Sequence, residues 1–107
     1  MAEVSIDAAR MAITVKAGIG GYVWLSFHEI MGEASLTYRL AKDVAEAAAD
    51  AIESRGETRG GDISCFAKCP DEALLMLGTT SVWMGIEEAD DLARSIRKAL
   101  SWKEAHP

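Results

Sequence analysis

Leu74-Leu75-Met76-Leu77, Gly78-Thr79-Thr80 and Ser81-Val82-Trp83-Met84, running on into Gly85-Ile86-Glu87-Glu88-Ala89-Asp90-Asp91-Leu92, is the stretch that decides the fold. Two short apolar runs around a glycine-containing turn predict an antiparallel hairpin. The period then changes. Ala89, Leu92, Ala93, Ile96, Ala99 and Leu100 recur at three- and four-residue intervals, which predicts an amphipathic helix starting near Glu87. Glu87, Glu88, Asp90 and Asp91 crowd its first turns, while Arg94, Arg97, Lys98 and Lys103 crowd its end, matching the sign of the helix dipole. Asp90 and Arg94 also stand at the spacing that favours an ion pair along a helix.

The same block reads a second time further upstream. Val23-Trp24-Leu25 parallels Val82-Trp83-Met84, and Leu40 to Ala48 parallels Leu92 to Leu100. On this alignment the chain is a divergent ββα duplication: repeat one covers about 12–55, a link and connecting strand 56–70, and repeat two about 73–104. Trp24 to Leu40 spans 16 positions where Trp83 to Leu92 spans 9, so the alignment places seven extra residues between strand and helix in repeat one. Loops of that kind carry function more often than their framework does, and residues 26–33 are the candidate.

Outward from these blocks, Val4, Ile6 and Ala8 alternate like a strand, although Asp7 to Arg10 also fits a helical turn. Ile13, Val15 and Ala17 alternate with Thr14 and Lys16, and Gly18-Ile19-Gly20-Gly21 offers the positive backbone angles that a tight reversal into Tyr22–Phe27 needs. The first helix reads from a cap at Ser35 or Thr37 to about Ser54, with Leu36, Leu40, Val44, Ala47, Ala48, Ala51 and Ile52 inward and Gly56 ending it. Ile63, Cys65, Ala67 and Cys69 alternate in a strand that stops at Pro70. The predicted fold is α+β: one antiparallel sheet of about five strands, with two helices on one face and a single domain over 1–107.

Composition narrows the function. Eleven Lys and Arg against seventeen Asp and Glu give a formal charge of −6, with no basic run long enough to track a phosphate backbone. The start, Met1-Ala2-Glu3-Val4, lacks the basic and apolar segments of a signal peptide, and no apolar run approaches bilayer length, so the expected location is the cytoplasm. Cys65 and Cys69 on an extended strand stand about 13 Å apart, beyond disulfide reach, and are expected to be free thiols.

Candidate chemistry is sparse. His28-Glu29-Ile30-Met31-Gly32 opens like a zinc-protease helix, but Gly32 stands where the second histidine belongs. Cys65 and Cys69 with His28 and Asp62 make a weak zinc set, and alternating cysteines are more often small core residues. Gly18 to Gly21 leads into a strand instead of a helix, so it is a hairpin turn and no phosphate loop. Glu87 to Asp91 is explained by the dipole. No catalytic residue, metal, cofactor or small-molecule substrate is expected.

The aromatic residues carry the functional signal. If Val23, Leu25 and Phe27 face the helices, the two-residue period turns Tyr22 and Trp24 to the other face; Val82, Met84 and Ile86 do the same for Trp83. One of the pairs Leu74/Met76 or Leu75/Leu77 joins them. Large apolar patches rarely stay bare. The expected function is non-catalytic protein binding through Tyr22, Trp24 and Trp83 with His28 and Glu29 of the 26–33 loop, the partner being another protein or a second copy in a homodimer. An acidic compact chain also suits an inhibitor that covers a basic groove as a nucleic-acid mimic, and some phage-encoded inhibitors share this size and charge. The alternatives are RNA binding on the open sheet face, disfavoured by scattered cations, and a small metal enzyme built on His28 and the cysteines.

Overall fold

The computed structural model describes residues 2–8, 11–17, 22–28, 36–54, 63–69, 71–77 and 80–105. Its strands are β1 (Ala2–Ala8), β2 (Met11–Ala17), β3 (Tyr22–Phe27), β4 (Leu36–Ala41), β5 (Ile63–Cys69), β6 (Glu72–Leu77) and β7 (Thr80–Gly85). Helix α1 (Lys42–Ser54) follows β4, and α2 (Ile86–Ala105) follows β7. The fold is α+β, with all strand pairings antiparallel.

Two sheets replace the expected single one: β1-β2-β3-β4 and β5-β6-β7. The described residues hold seven strands instead of about five. One gain is β1, which the alternation of Val4, Ile6 and Ala8 anticipated. The other is β4, which the sequence reading had folded into the start of a helix. Leu36 and Leu40 stand four apart, and an even spacing of four satisfies a strand as well as a helix turn. Thr37 and Tyr38, a β-branched and an aromatic side chain, are compatible with extended backbone, and pairing with β3 settles the strand. Leu40 is buried and Tyr38 half-buried, while Thr37, Arg39 and Ala41 are exposed, the alternation of a strand with one wet face.

That strand also changes the repeat. With β4 standing where β7 stands, the extra residues of the first half fall between β3 and β4, in 28–35 against 78–79 between β6 and β7. From β2 and from β5 the order is βββα in both halves, not ββα. Aligned at their starts, the helices match at an offset of 44 positions: buried Ala45, Ala48, Ala49, Ala51 and Ile52 stand where α2 buries Ala89, Leu92, Ala93, Ser95 and Ile96. Leu40 therefore does not correspond to Leu92. The six inward positions predicted for α2 are all buried.

The halves interlock. Helix α1 packs on α2 and on β5 of the other half, and α2 packs on β1 and β2. One core results, joining Ile13, Val15, Val23, Leu25, Phe27 and Leu40 of the larger sheet to Leu75, Val82 and Met84 of the smaller through both helices. Alanines make the buried stripe of α1 shallow, and Ala45, Ala48 and Ala49 are fully covered. The backbone amide of Ile86 donates to the carbonyl of Asp71 at 3.1 Å, giving one of the unpaired amides at the start of α2 a partner in the turn before β6. No helix among the described residues is long and apolar enough to cross a membrane.

Candidate functional site

On β3 the pleat sorts the side chains cleanly. Val23, Leu25 and Phe27 are at most 1% exposed, whereas Tyr22 is 42% and Trp24 39% exposed. On β7 the neighbours Val82 and Met84 are buried and Trp83 is 38% exposed. On β6, Leu75 is buried while Met76 is exposed and Leu74 half-buried, so Leu74/Met76 is the outward pair. The alternation expected from the sequence holds over 22–27, 72–76 and 81–84.

The aromatics do not share one sheet. Tyr22 and Trp24 belong to the four-stranded sheet, Trp83, Met76 and Leu74 to the three-stranded one. Nor do the tryptophans hold matching positions. Trp24 pairs with Arg39 across β3 and β4, while Trp83 pairs with Leu74 across β6 and β7; in the helix-aligned frame Trp83 corresponds to Arg39.

Arg39 is the residue that sequence reasoning missed, because it was assigned to a helix surface. In β4 its guanidinium lies 4.4 Å from the centre of the Tyr22 ring and 5.8 Å from that of Trp24, within the range of cation–π attraction. Lys16 stands across from Trp24 on the other side and Glu3 across from Lys16, so one row of the sheet reads Glu3, Lys16, Trp24, Arg39. The next row is hydroxyl-bearing: Thr14, Ser26 and Thr37, with Ser26 Oγ and Thr37 Oγ1 at 3.3 Å. The signal that could have found this surface is the alternation Thr37, Arg39, Ala41 against Leu36, Tyr38, Leu40.

His28 is exposed just past the end of β3, and its Nε2 shares a 2.9 Å hydrogen bond with Thr14 Oγ1. It thus borders the hydroxyl row, two positions beyond Ser26. Ser26 and Phe27, which the sequence reading gives both to the strand Tyr22–Phe27 and to the 26–33 loop, belong to β3. Glu29 and the rest of that loop lie outside the described residues, as do the turn at 18–21, the Gly56 cap and Asp62. For Cys65 and Cys69 the backbone alone is described. Cys65 pairs with Leu75, but the register shifts between Ala67 and Cys69, so the strict alternation expected of the two cysteines breaks before Cys69. Among the described residues no three His, Cys, Asp or Glu side chains gather into a metal site.

Nine of the seventeen acids lie on the helices, four on α1 and five on α2. Asp43, Glu46, Asp50 and Glu53 are exposed on α1. Arg97 of α2 bridges to this surface: its Nε donates to Glu53 Oε1 at 2.6 Å and its Nη2 to Glu53 Oε2 at 3.1 Å and to Asp50. The hydrogen bonds from Arg97 hold the Glu53 carboxyl below its ordinary range, against a smaller opposing effect of burial; Glu53 in turn raises the Arg97 pKa. Arg97 is therefore a tie between the helices. A shallow polar groove lined by Lys42, Glu46, Leu100, Ser101 and Glu104 runs beside it.

Comparison with protein-family models, curated proteins and solved structures finds no match. The site is read from its own chemistry.

Proposed function

We propose that this chain is a non-catalytic protein-binding module that works through the outer faces of its sheets. The observation that carries the reading is the exposure of Tyr22, Trp24, Trp83 and Met76 on strands whose alternate residues are buried. Trp, Tyr and Arg are the residues that dominate binding energy at protein interfaces, and this surface has all three. Asp43, Glu46, Asp50 and Glu53 are exposed on α1, where a basic target would meet them if the chain also acts as an inhibitor. The test is a differential one. Protein captured by the wild type should be lost with Trp24→Thr combined with Trp83→Thr, while both samples melt cooperatively. Equal capture by a folded double variant refutes the reading.

One observation favours a second reading, single-stranded RNA on the four-stranded sheet: Lys16 and Arg39 flank Trp24 within one row. Aromatic sheets with adjacent cations stack bases in this manner. Two cations on a chain of net charge −6 are few for a phosphate backbone, so protein remains the first reading.

A further inference from the structure

Resting on the protein-binding reading, we infer that the Tyr22, Trp24 and Arg39 surface takes an extended acidic segment of the partner, laid along β4 with a carboxylate on Arg39. Strand β4 ends the order β1-β2-β3-β4, so one of its edges has no neighbouring strand among the described residues. An edge of this kind pairs with an added strand through backbone hydrogen bonds, and alternate side chains of that strand supply the specificity. A strand added beside β4 extends the row Glu3, Lys16, Trp24, Arg39 by one position. The residue at that position stands next to Arg39.

Arg39 is suited to a carboxylate there. Its guanidinium is held over the Tyr22 and Trp24 rings, and among the described residues its recorded contacts are those two rings. A guanidinium over an aromatic face leaves the N–H groups at its rim pointing outward in its own plane, where a carboxylate accepts two of them at once. The stacking also reduces the side-chain freedom that would be lost on binding.

The other occupants fit less well. With Arg39 4.4 Å over Tyr22, the ring face a base would stack on is already covered. A second copy packed face to face over Trp24 brings the Arg39 of each copy into one contact, which sets like charges together.

Fluorescence anisotropy on the whole chain tests this with labelled short peptides alternating Glu and Val, their counterparts alternating Gln and Val, and a single-stranded oligouridine. The acidic peptide should bind, and the Gln peptide should bind about tenfold more weakly or worse. Arg39→Lys, which keeps the charge and loses the fork, should weaken the acidic peptide by about the same factor. Arg94→Ala on α2 should change nothing. The inference is overturned if the acidic peptide fails to bind, if Gln and Glu peptides bind alike, if oligouridine binds more tightly, or if sedimentation shows the chain to be a dimer that Arg39→Lys leaves intact. If capture of the partner depends on Trp24 and Trp83 but Arg39→Lys captures as well as wild type, the protein-binding reading survives and this inference falls. If none of the three residues matters, both fall.

Discussion

Trp24 and Leu25 are neighbours on β3, and their substitutions should fail in opposite ways. A tryptophan covers about 150 to 250 Å² when buried. Trp24 is 39% exposed, so its covered share is worth at most about 2 to 4 kcal/mol at 25 cal/mol per Å². Threonine at the same place restores part of that, since a β-branched side chain suits an outer strand face. A net loss of about 1 to 2 kcal/mol should leave the domain folded, because single domains usually have 5 to 15 kcal/mol in hand. Leu25 is 1% exposed and joins the core, so Leu25→Ala should cost about 2 to 5 kcal/mol through lost burial and a cavity. Binding should reverse the order: Trp24→Thr loses an anchor worth 2 kcal/mol or more, roughly thirtyfold in affinity, while folded Leu25→Ala keeps it. Urea melts and binding titrations on the same samples give both quantities. The reasoning is refuted if Trp24→Thr destabilises as much as Leu25→Ala and leaves partner affinity unchanged, because Trp24 is then a core residue.

Arg97→Ala should cost only about 0.2 to 1 kcal/mol, since its ion pairs are exposed. The Glu53 carboxyl is held below its ordinary value of 4.5, so its contribution is complete above that pH and fades as pH falls through the lower folded value. The stability gap between wild type and Arg97→Ala should therefore shrink in acid melts below pH 4.5, and a gap that widens there contradicts the assignment. Leu40→Ala should cost about 2 to 5 kcal/mol as a core residue of β4, and hydrogen exchange should show Leu36–Ala41 protected in a strand pattern continuous with β3. Ala49→Leu should destabilise by about 1 to 3 kcal/mol in urea melts, because Ala49 is fully covered and the packed helix has no room for three more carbons; a neutral result means that α1 does not sit that close.

Alternation alone carried β3, β5, β7 and the outward face of Trp24 and Trp83, because a pleat allows a side chain only two directions and one of them is wet. The α2 face was legible for the matching reason: six apolar positions fit a period of 3.6 and no shorter one. Local pattern could not place β4. Leu36 and Leu40 fit either period, and the choice fell to the pairing of Leu36–Ala41 with β3, a contact between segments that the sequence does not show to be adjacent. The same holds for the division into two sheets and for the packing of α1 on β5 and α2 on β1 and β2, which depend on how two half-cores close over each other. The candidate site divides along this line. Tyr22, Trp24 and Trp83 follow from the sequence as exposed aromatics, but Arg39 over two of those rings, and the separation of Trp83 onto another sheet, exist only once long-range strand pairing has set which residues stand side by side.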